Sequence, residues 1–472
     1  MSVFPEYRNY DAVALAALIR SGQVSAAEAL EAAIARLETL DPGLNIAVYR
    51  DYERARAVAG RVSGPFAGVP FLMKDTNDWA GAPTGWGCRL YRDRIAQQSD
   101  TLTQRYLDAG FNVFAKTNVP EFALVGTTEP VVTGPTRNPY DPQLSAGGSS
   151  GGSAVAVATG VVPAAQASDG GGSIRCPAAA CGVFGLKPTR ARTPSGPIAG
   201  EGWQSLLQQH VVTRSVRDSA ALLDISHGPE IGDPYAVAPP ERPFLDEVGR
   251  DPGRLRIALM TEYPSGPKTD PVCARAAEDA ARLCESLGHH VEIAALPIRV
   301  EEMFELLGTV CAVWVRSMLT RRSKELGRSI IEADVEPLSW ALHQHAAGID
   351  ATAYYDTIEA IHHTGRKVGA FFANYDALIT PGLATLPPPL GTIDTTRGLA
   401  ATAALAAFCP FTTTFNVTGQ PAASIPLSWT EAGLPIGVQI VTRFGDEAGL
   451  FRLAAQLEAA APWAGHYRGL YL

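Results

Sequence analysis

The sequence predicts an α/β fold in which a large, twisted, mixed β-sheet is covered by helices on both faces. Short apolar runs bounded by Gly, Pro and Asn are typical of buried strands. Helical stretches such as residues 100–110 lie between several of these runs. Because alternation of helix and buried strand requires helices on both faces of a sheet, these observations favour one large parallel or mixed sheet.

The first 60 residues are predicted to form a helical layer. Ser25 and Glu28 have the spacing of a capping box, and the apolar run that follows has helical periodicity. Amphipathic stripes of this kind usually face a core. We therefore expect this segment to be scaffold.

The strands are predicted from residue 66 onward. They are expected at residues 69–74, 111–116, 161–168, 183–188, 254–260, 290–297, 376–381, 422–427 and 436–443. Residues 271–288 and 446–461 are predicted helices, and residues 300–375 are predicted to be mainly helical. Since no stretch resembles a flexible linker, we expect one domain over residues 1–472, with its catalytic core in residues 66–190.

Composition and charge argue against several classes of protein. The net charge is −9 without a basic block, so we expect no nucleic-acid partner. The seven cysteines are few and odd in number, which indicates a reducing compartment and a cytoplasmic location. The N-terminus lacks the pattern of a secretory signal, and we find no apolar run long enough to predict a membrane span.

Residues 145–177 hold two glycine-serine clusters, and the second runs directly into Ser173. Glycine allows a backbone to approach a ligand closely. Successive N–H groups of Gly170, Gly171, Gly172 and Ser173 would stabilise an oxyanion formed when Ser173 attacks a carbonyl. The alternative is a flexible turn, because glycine-rich loops are common.

Lys74 and Lys116 each end a predicted buried strand. Burial lowers the pKa of a lysine and frees its amine to act as a base. The alternative for either residue is a surface lysine that buries only its aliphatic stem. Burial alone does not choose between the two lysines.

Several separated motifs occur in an order that resembles the amidase signature family across residues 5–465. The motifs are KDTN at 74–77, KTNVPEF at 116–122, TRNPYD at 136–141, GGSSGGS at 147–153, DGGGSIRCPA at 169–178, CGVFGLKPT at 181–189, FNVTGQPAASIPL at 415–427 and GLPIGVQIV at 433–441. The resemblance implies a single amidase-signature domain and an amidohydrolase with no metal and no cofactor.

The resemblance also implies a role for each matched position. Ser173 matches the nucleophile, Ser149 the bridging serine that follows a cis peptide bond, and Lys74 the general base. The four N–H groups of residues 170–173 match the oxyanion hole. Three further residues match supports that hold the two loops together: Ser150, Asp169 and Arg175. A free lysine has a pKa near ~10.4, so burial must lower the pKa of Lys74 for this chemistry.

Within the family the sequence resembles enzymes that hydrolyse cyclic nylon oligomers and related amides and carbamates. We therefore expect a small-molecule amide or carbamate substrate, with anilides and esters as chemical neighbours. Leu124, Val125 and Thr127 are expected near the substrate, the first two on the acyl side. Residues 195–212 and 300–400 are expected to line the substrate. Within them, residues 195–212, with Trp203, and 305–345, with Cys311 and Trp314, are expected on the leaving-group side. Cys311 has the alternative role of a small buried apolar residue. The resemblance implies a homodimer, and no membrane partner is expected.

Other functions have weaker support in the sequence. Residues 147–151 fit the G-x-S-x-G elbow of α/β-hydrolases, but Pro139 and Pro142 make a poor preceding strand. A phosphate-binding loop lacks its lysine, and a zinc site at His343/His345 or His362/His363 lacks the H-E-x-x-H motif. A catalytically silent interaction protein and the glutaminase subunit of a tRNA-dependent amidotransferase remain as alternatives.

Overall fold

The strands found in residues 4–470, which are the residues that the computed structural model describes, form one mixed sheet of eleven strands within a single domain. Its spatial order is β1-β3-β2-β4-β6-β5-β10-β11-β9-β7-β8. The strands are β1 (Ala47–Arg50), β2 (Pro70–Lys74), β3 (Asn112–Thr117), β4 (Ala164–Asp169), β5 (Phe184–Lys187), β6 (Gln208–Thr213), β7 (Arg256–Leu259), β8 (His290–Ile293), β9 (Ala377–Pro381), β10 (Ala422–Trp429) and β11 (Pro435–Thr442). The predicted α/β class is confirmed.

Helices cover the sheet and bury its apolar side chains. They are α1 (Ala12–Arg20), α2 (Ala26–Leu44), α3 (Tyr52–Val58), α4 (Thr101–Asp108), α5 (Gly151–Ala158), α6 (Arg175–Cys181), α7 (Val216–Ser226), α8 (Pro271–Ser286), α9 (Val300–Leu326), α10 (Pro337–His345), α11 (Ala351–Phe371), α12 (Ala401–Phe408), α13 (Thr413–Thr418) and α14 (Glu447–Ala460). The predicted capping box starts α2: the Glu28 N–H donates to Ser25 Oγ at 3.1 Å, and the Ser25 N–H donates to Glu28 Oε2 at 2.8 Å.

Two strands differ from the sequence predictions. The N-terminal 60 residues are not wholly helical, because β1 pairs antiparallel with β3 at the edge of the sheet. Residues 195–212 are not only a substrate-lining segment, because β6 begins within them and pairs with β4 and β5. β1 has four residues, and β6 begins with two glutamines, so neither gives a clear apolar pattern.

Helix α9 is long and apolar enough to cross a membrane, with a mean hydropathy of 1.3 over its most apolar window. One such helix is weak evidence for a span, because the core helix of a soluble protein passes the same test. Here α9 packs against α10, α11 and α13, and 39% of that window is buried. The absence of a membrane partner stays a prediction.

The topology brings the two sequence clusters together. β2 and β4 are parallel neighbours, so their carboxyl ends, at Lys74 and Asp169, meet at one edge of the sheet. Ser149 lies just before α5, and Ser173 lies just before α6. Strand ends and helix starts therefore converge at one place, as is common in sites built on open α/β sheets.

Candidate active site

Lys74 is completely buried at the end of β2, and its amine contacts hydroxyl and carbonyl groups. The Lys74 Nζ lies 2.8 Å from Ser149 Oγ and 2.9 Å from Ser168 Oγ. Burial lowers the pKa of Lys74 to about 7, and the charge of Asp169 offsets this only in part. A lysine in this state gives up its proton near neutral pH and is suited to act as a base.

Lys116, the other lysine at the end of a buried strand, has different surroundings. Its Nζ donates to the carbonyl of Pro83 at 2.7 Å and to Thr84 Oγ1 at 2.8 Å, and it lies 3.0 Å from Asp75 Oδ1. Three acceptors, one of them a carboxylate, suit a charged ammonium group. The side chain of Lys116 therefore has the geometry of a structural ion pair.

The loop before α5 positions Ser149 through a close approach of two backbones. The Gly148–Ser149 peptide bond is cis, as the family resemblance implies. A Cβ on Gly148 would lie 2.3 Å from the carbonyl oxygen of Thr127, so only glycine fits there. Ser149 itself is fully buried.

Ser150 joins the two glycine-serine loops. Its N–H donates to the carbonyl of Ser173 at 3.2 Å, and its hydroxyl donates to the carbonyl of Ser168 at 3.2 Å. The Ser168 N–H lies 3.3 Å from the same hydroxyl oxygen. Ser150 thus bridges the loops, in keeping with its expected supporting position.

Asp169 and Arg175 form a buried ion pair beneath the Ser173 loop. The Arg175 Nη2 lies 2.8 Å from Asp169 Oδ1, and its Nε lies 2.9 Å from Asp169 Oδ2. Burial by itself would raise the pKa of Asp169, but the guanidinium more than offsets this and holds the pKa below its ordinary value. Asn416 adds a donor to the Asp169 carbonyl at 2.8 Å. This network fixes the start of the loop.

The expected oxyanion hole needs one correction. The Gly172 N–H donates to Asp169 Oδ1 at 2.7 Å and is therefore used within the loop. The preceding carbonyl, of Gly171, accepts from the hydroxyls of Thr412 at 2.7 Å and Thr413 at 3.1 Å, which fixes the orientation of that peptide unit. Of the four expected donors, Gly170, Gly171 and Ser173 remain as candidates.

Two cavities meet at Ser173. The smaller has a volume of about 50 Å³ and is mainly apolar. Its walls include Leu124, Val125, Leu307, Cys311, Leu405 and Cys409. The larger has a volume of about 400 Å³ and combines aromatic with polar walls. Its walls include Ser149, Ser168, Trp86, Tyr91, Asp100, Gln209 and Trp314.

The structure places most expected substrate residues on these walls, with two corrections. Trp203 lines both cavities, and its ring packs against Gly170, where a Cβ would lie 2.6 Å from the ring. Cys311, expected on the opposite side from Leu124, shares the smaller cavity with it. Thr127 lines neither cavity, because its hydroxyl lies 2.7 Å from Ser145 Oγ in the interior.

Several residues of the site were not predicted from the sequence. Ser168 contacts Lys74, and Thr412 and Thr413 hold the Ser173 loop. Leu405 and Cys409 line the smaller cavity from outside the expected segment 300–400. Asn416 lies in the FNVTGQPA motif, which was the one available signal; the other residues lie in ordinary stretches.

Comparison with known proteins gives matches over nearly the whole chain. The family model described as Amidase matches residues 28–451. A 6-aminohexanoate-cyclic-dimer hydrolase of Paenarthrobacter ureafaciens is 37% identical over 468 residues, which cover 96% of this chain and 95% of the relative. The putative amidase AmiC of Mycobacterium leprae is 37% identical over 463 residues, with 96% of each chain covered.

Solved structures agree with these sequence matches. The structure of a 6-aminohexanoate cyclic dimer hydrolase complexed with substrate superposes with a TM-score of 0.92 at 36% identity, covering 97% of this chain and 98% of that one. A bacterial aryl acylamidase of the amidase signature family superposes with a TM-score of 0.89 at 28% identity, with the same coverage.

Proposed function

The chain belongs to the amidase signature family and is an amide-cleaving hydrolase, and on that premise we propose that it works through an acyl-enzyme on Ser173, with Ser149 bridging to Lys74 as the general base. The observation that carries the proposal is the buried contact of 2.8 Å between Lys74 Nζ and Ser149 Oγ. A lysine whose pKa is near neutral, beside a hydroxyl on the wall of a cavity, is the arrangement that activates a serine nucleophile.

The proposed proton path runs through both serines. Neutral Lys74 accepts the proton of Ser149 as Ser149 accepts that of Ser173, and Ser173 Oγ bonds to the substrate carbonyl carbon. The negative oxygen is stabilised by N–H groups of the Ser173 loop. The proton then returns from Lys74 through Ser149 to the leaving nitrogen as the C–N bond breaks. Water repeats the sequence and releases the acid.

The two cavities receive different halves of the substrate in this proposal. Ser149 lines the larger cavity, and it must reach the leaving nitrogen to protonate it. The amine half therefore lies in the larger cavity, among Trp86, Tyr91 and Trp314. The acyl half lies in the smaller cavity beside Leu124 and Leu307, whose volume of about 50 Å³ favours a short apolar group.

Carbamates, anilides and esters are included in the proposed substrate range. The base and the oxyanion site act on the carbonyl group and do not depend on the atom beyond it. A carbamate differs from an amide by an oxygen on the acyl side, so a short alkyl carbamate of an aromatic amine has the shape that the two cavities favour.

Active-site labelling with turnover tests the proposal. The protein is incubated separately with a serine-directed fluorophosphonate, a short-chain anilide and a short alkyl carbamate of an aromatic amine, and is followed by intact mass and peptide mapping. We expect an adduct on Ser173 and release of the amine, both abolished in Ser173→Ala. A folded protein with no adduct and no turnover would contradict the proposal and favour a catalytically silent relative or a partner-dependent amidotransferase subunit.

A further inference from the structure

We propose that Ser168 is a positioning residue that accepts both N–H groups of neutral Lys74 and thereby directs the lone pair of the amine at Ser149. The inference rests on the proposed function, since it concerns the same base. Three contacts surround the Lys74 Nζ: Ser149 Oγ at 2.8 Å, Ser168 Oγ at 2.9 Å and the Ser168 carbonyl oxygen at 3.5 Å. Two of the three belong to one residue.

The numbers of donors and acceptors differ between the two protonation states of Lys74. A neutral amine has two N–H donors and one lone pair, whereas an ammonium has three donors and no lone pair. A base must aim its lone pair at the proton that it takes, so in the working state Ser149 donates to Lys74. Both N–H groups must then point elsewhere, and the two oxygens of Ser168 are the remaining contacts.

Ser168 is well held for this task. It lies in β4 opposite Gln209 of β6, and it is 4% exposed. The Ser150 hydroxyl donates to its carbonyl at 3.2 Å and lies 3.3 Å from its N–H. Both acceptors for Lys74 therefore belong to one residue, whose backbone is held by the sheet and by Ser150 of the Ser149 loop.

The groups that accept the N–H groups of Lys74 are uncharged oxygens of Ser168. Asp169 is the charged group that acts on Lys74, and its carboxylate is engaged by Arg175 and by the Gly172 N–H. Lys116 offers the contrast, because its three contacts include the Asp75 carboxylate. A carboxylate at Lys74 would favour the ammonium form, whereas hydroxyl and carbonyl oxygens serve both protonation states.

The test uses Ser168→Ala and Ser168→Thr in the full-length protein, with a short-chain anilide as substrate. In Ser168→Ala we expect kcat to fall about 10- to 100-fold, because the amine can rotate away from Ser149. The acidic limb of kcat/KM is expected to move to lower pH, because the protonated amine loses an acceptor. Ser168→Thr keeps a hydroxyl group, so its kcat and the pH of its acidic limb in kcat/KM are expected to be close to those of the wild type.

Ser153→Ala is the matched control. Ser153 is buried beside the same strand, and its hydroxyl donates to the Gln166 carbonyl at 2.7 Å without contacting Lys74. A purely structural role for Ser168 predicts that the two alanine variants lose stability alike and keep the wild-type pH profile. That result would overturn the proposal. If Ser168→Ala does not fold, Ser168→Cys, a weaker acceptor of similar size, makes the same comparison.

Failure of this inference is distinguishable from failure of the proposed function. Suppose that Ser173 is labelled in the wild type and that Lys74→Met is inactive. If Ser168→Ala then keeps the wild-type kcat and pH profile, Lys74 is the base but the positioning role of Ser168 is wrong. If Ser173 is not labelled and Lys74→Met is active, the proposed function itself is wrong, and the positioning role is overturned with it.

Discussion

The carboxylate of Asp75 forms an ion pair with Lys116 in the interior, with 3.0 Å between Asp75 Oδ1 and Lys116 Nζ. Asp75 follows Lys74 directly in the chain, yet its side chain turns to the neighbouring strand. Because the Asp75 side chain points to Lys116 and not to Lys74, the two buried lysines have different contacts. Lys116 is held as a charged partner, and Lys74 is left among hydroxyl and carbonyl oxygens.

Replacing Lys116 is therefore expected to cost stability more than chemistry. In Lys116→Met the buried carboxyl of Asp75 loses its cation, and breaking a buried pair in this way costs about 3–5 kcal/mol. Burial already raises the pKa of Asp75 in spite of the attraction of Lys116. Urea unfolding measures the loss. A variant as stable as the wild type but without turnover would exchange the roles of the two lysines.

Replacing Lys74 is expected to give the opposite result. Lys74→Met removes the proposed base, so kcat should fall by about 10²–10⁴-fold, which is the usual contribution of a general base. No buried carboxylate is left unpaired at the Lys74 Nζ contacts, so the free energy of unfolding should change much less than in Lys116→Met. Parallel urea titrations and initial rates of the two variants measure the contrast.

The activity should depend on pH through the protonation of Lys74. Its pKa is lowered to about 7, and only the neutral amine accepts a proton. The kcat/KM is therefore expected to rise with pH through neutrality and to fall by about tenfold per pH unit well below pH 7. Rates measured with a substrate that does not titrate in this range test the limb. A flat profile from pH 5 to 9 would contradict a neutral-lysine base.

Sequence patterns predicted the sheet where its strands are rich in apolar residues. β2, β3 and β11 are buried along their whole length, and apolar residues make up half or more of each. β1 and β6 were missed, because one is a four-residue edge strand and the other begins with Gln208 and Gln209. Short or polar strands depend on their neighbours in the sheet more than on their own sequence.

The site was predictable only where residue type carried the information. The second glycine-serine cluster indicates Ser173, whereas Ser149 and the choice of Lys74 over Lys116 follow from the family resemblance. The direction of the Gly172 N–H did not follow, because it is set by Asp169 through a contact in three dimensions. The position of Thr412 did not follow either, since it reaches the Ser173 loop from a distant segment.

The ion pair of Arg175 with Asp169 should be essential for stability. Arg175→Met leaves the carboxylate of Asp169 unpaired in the interior, which should cost about 3–5 kcal/mol. The control is Arg282→Met, which breaks the exposed pair with Asp279 on α8 and should change stability by less than about 1 kcal/mol. Urea unfolding of both variants measures the difference. Equal effects would show that the buried pair is not a structural anchor.

The size of the smaller cavity should set the preference for the acyl half of the substrate. A Cβ on Gly171 would lie 2.8 Å from Leu307 Cδ2, the flexible end of a side chain on the cavity wall. Gly171→Ala is therefore expected to fold, because the end of the Leu307 side chain can shift. The added methyl group lies on the cavity wall and narrows the cavity. Leu307→Ala widens it instead, and because Leu307 is only partly buried the stability cost should fall below the ~2–5 kcal/mol of a fully buried leucine. Leu306→Ala on the same helix is the control, because Leu306 lines neither cavity.

A series of anilides with acyl chains of increasing length tests this prediction. Gly171→Ala should shift the preference in kcat/KM toward shorter chains, and Leu307→Ala toward longer ones, because only the acyl half lies against these residues in the proposed orientation. The double variant should return toward the wild-type preference, since the methyl group then occupies the space left by Leu307. If the variants instead change selectivity for the amine, the two halves of the substrate lie in the opposite cavities.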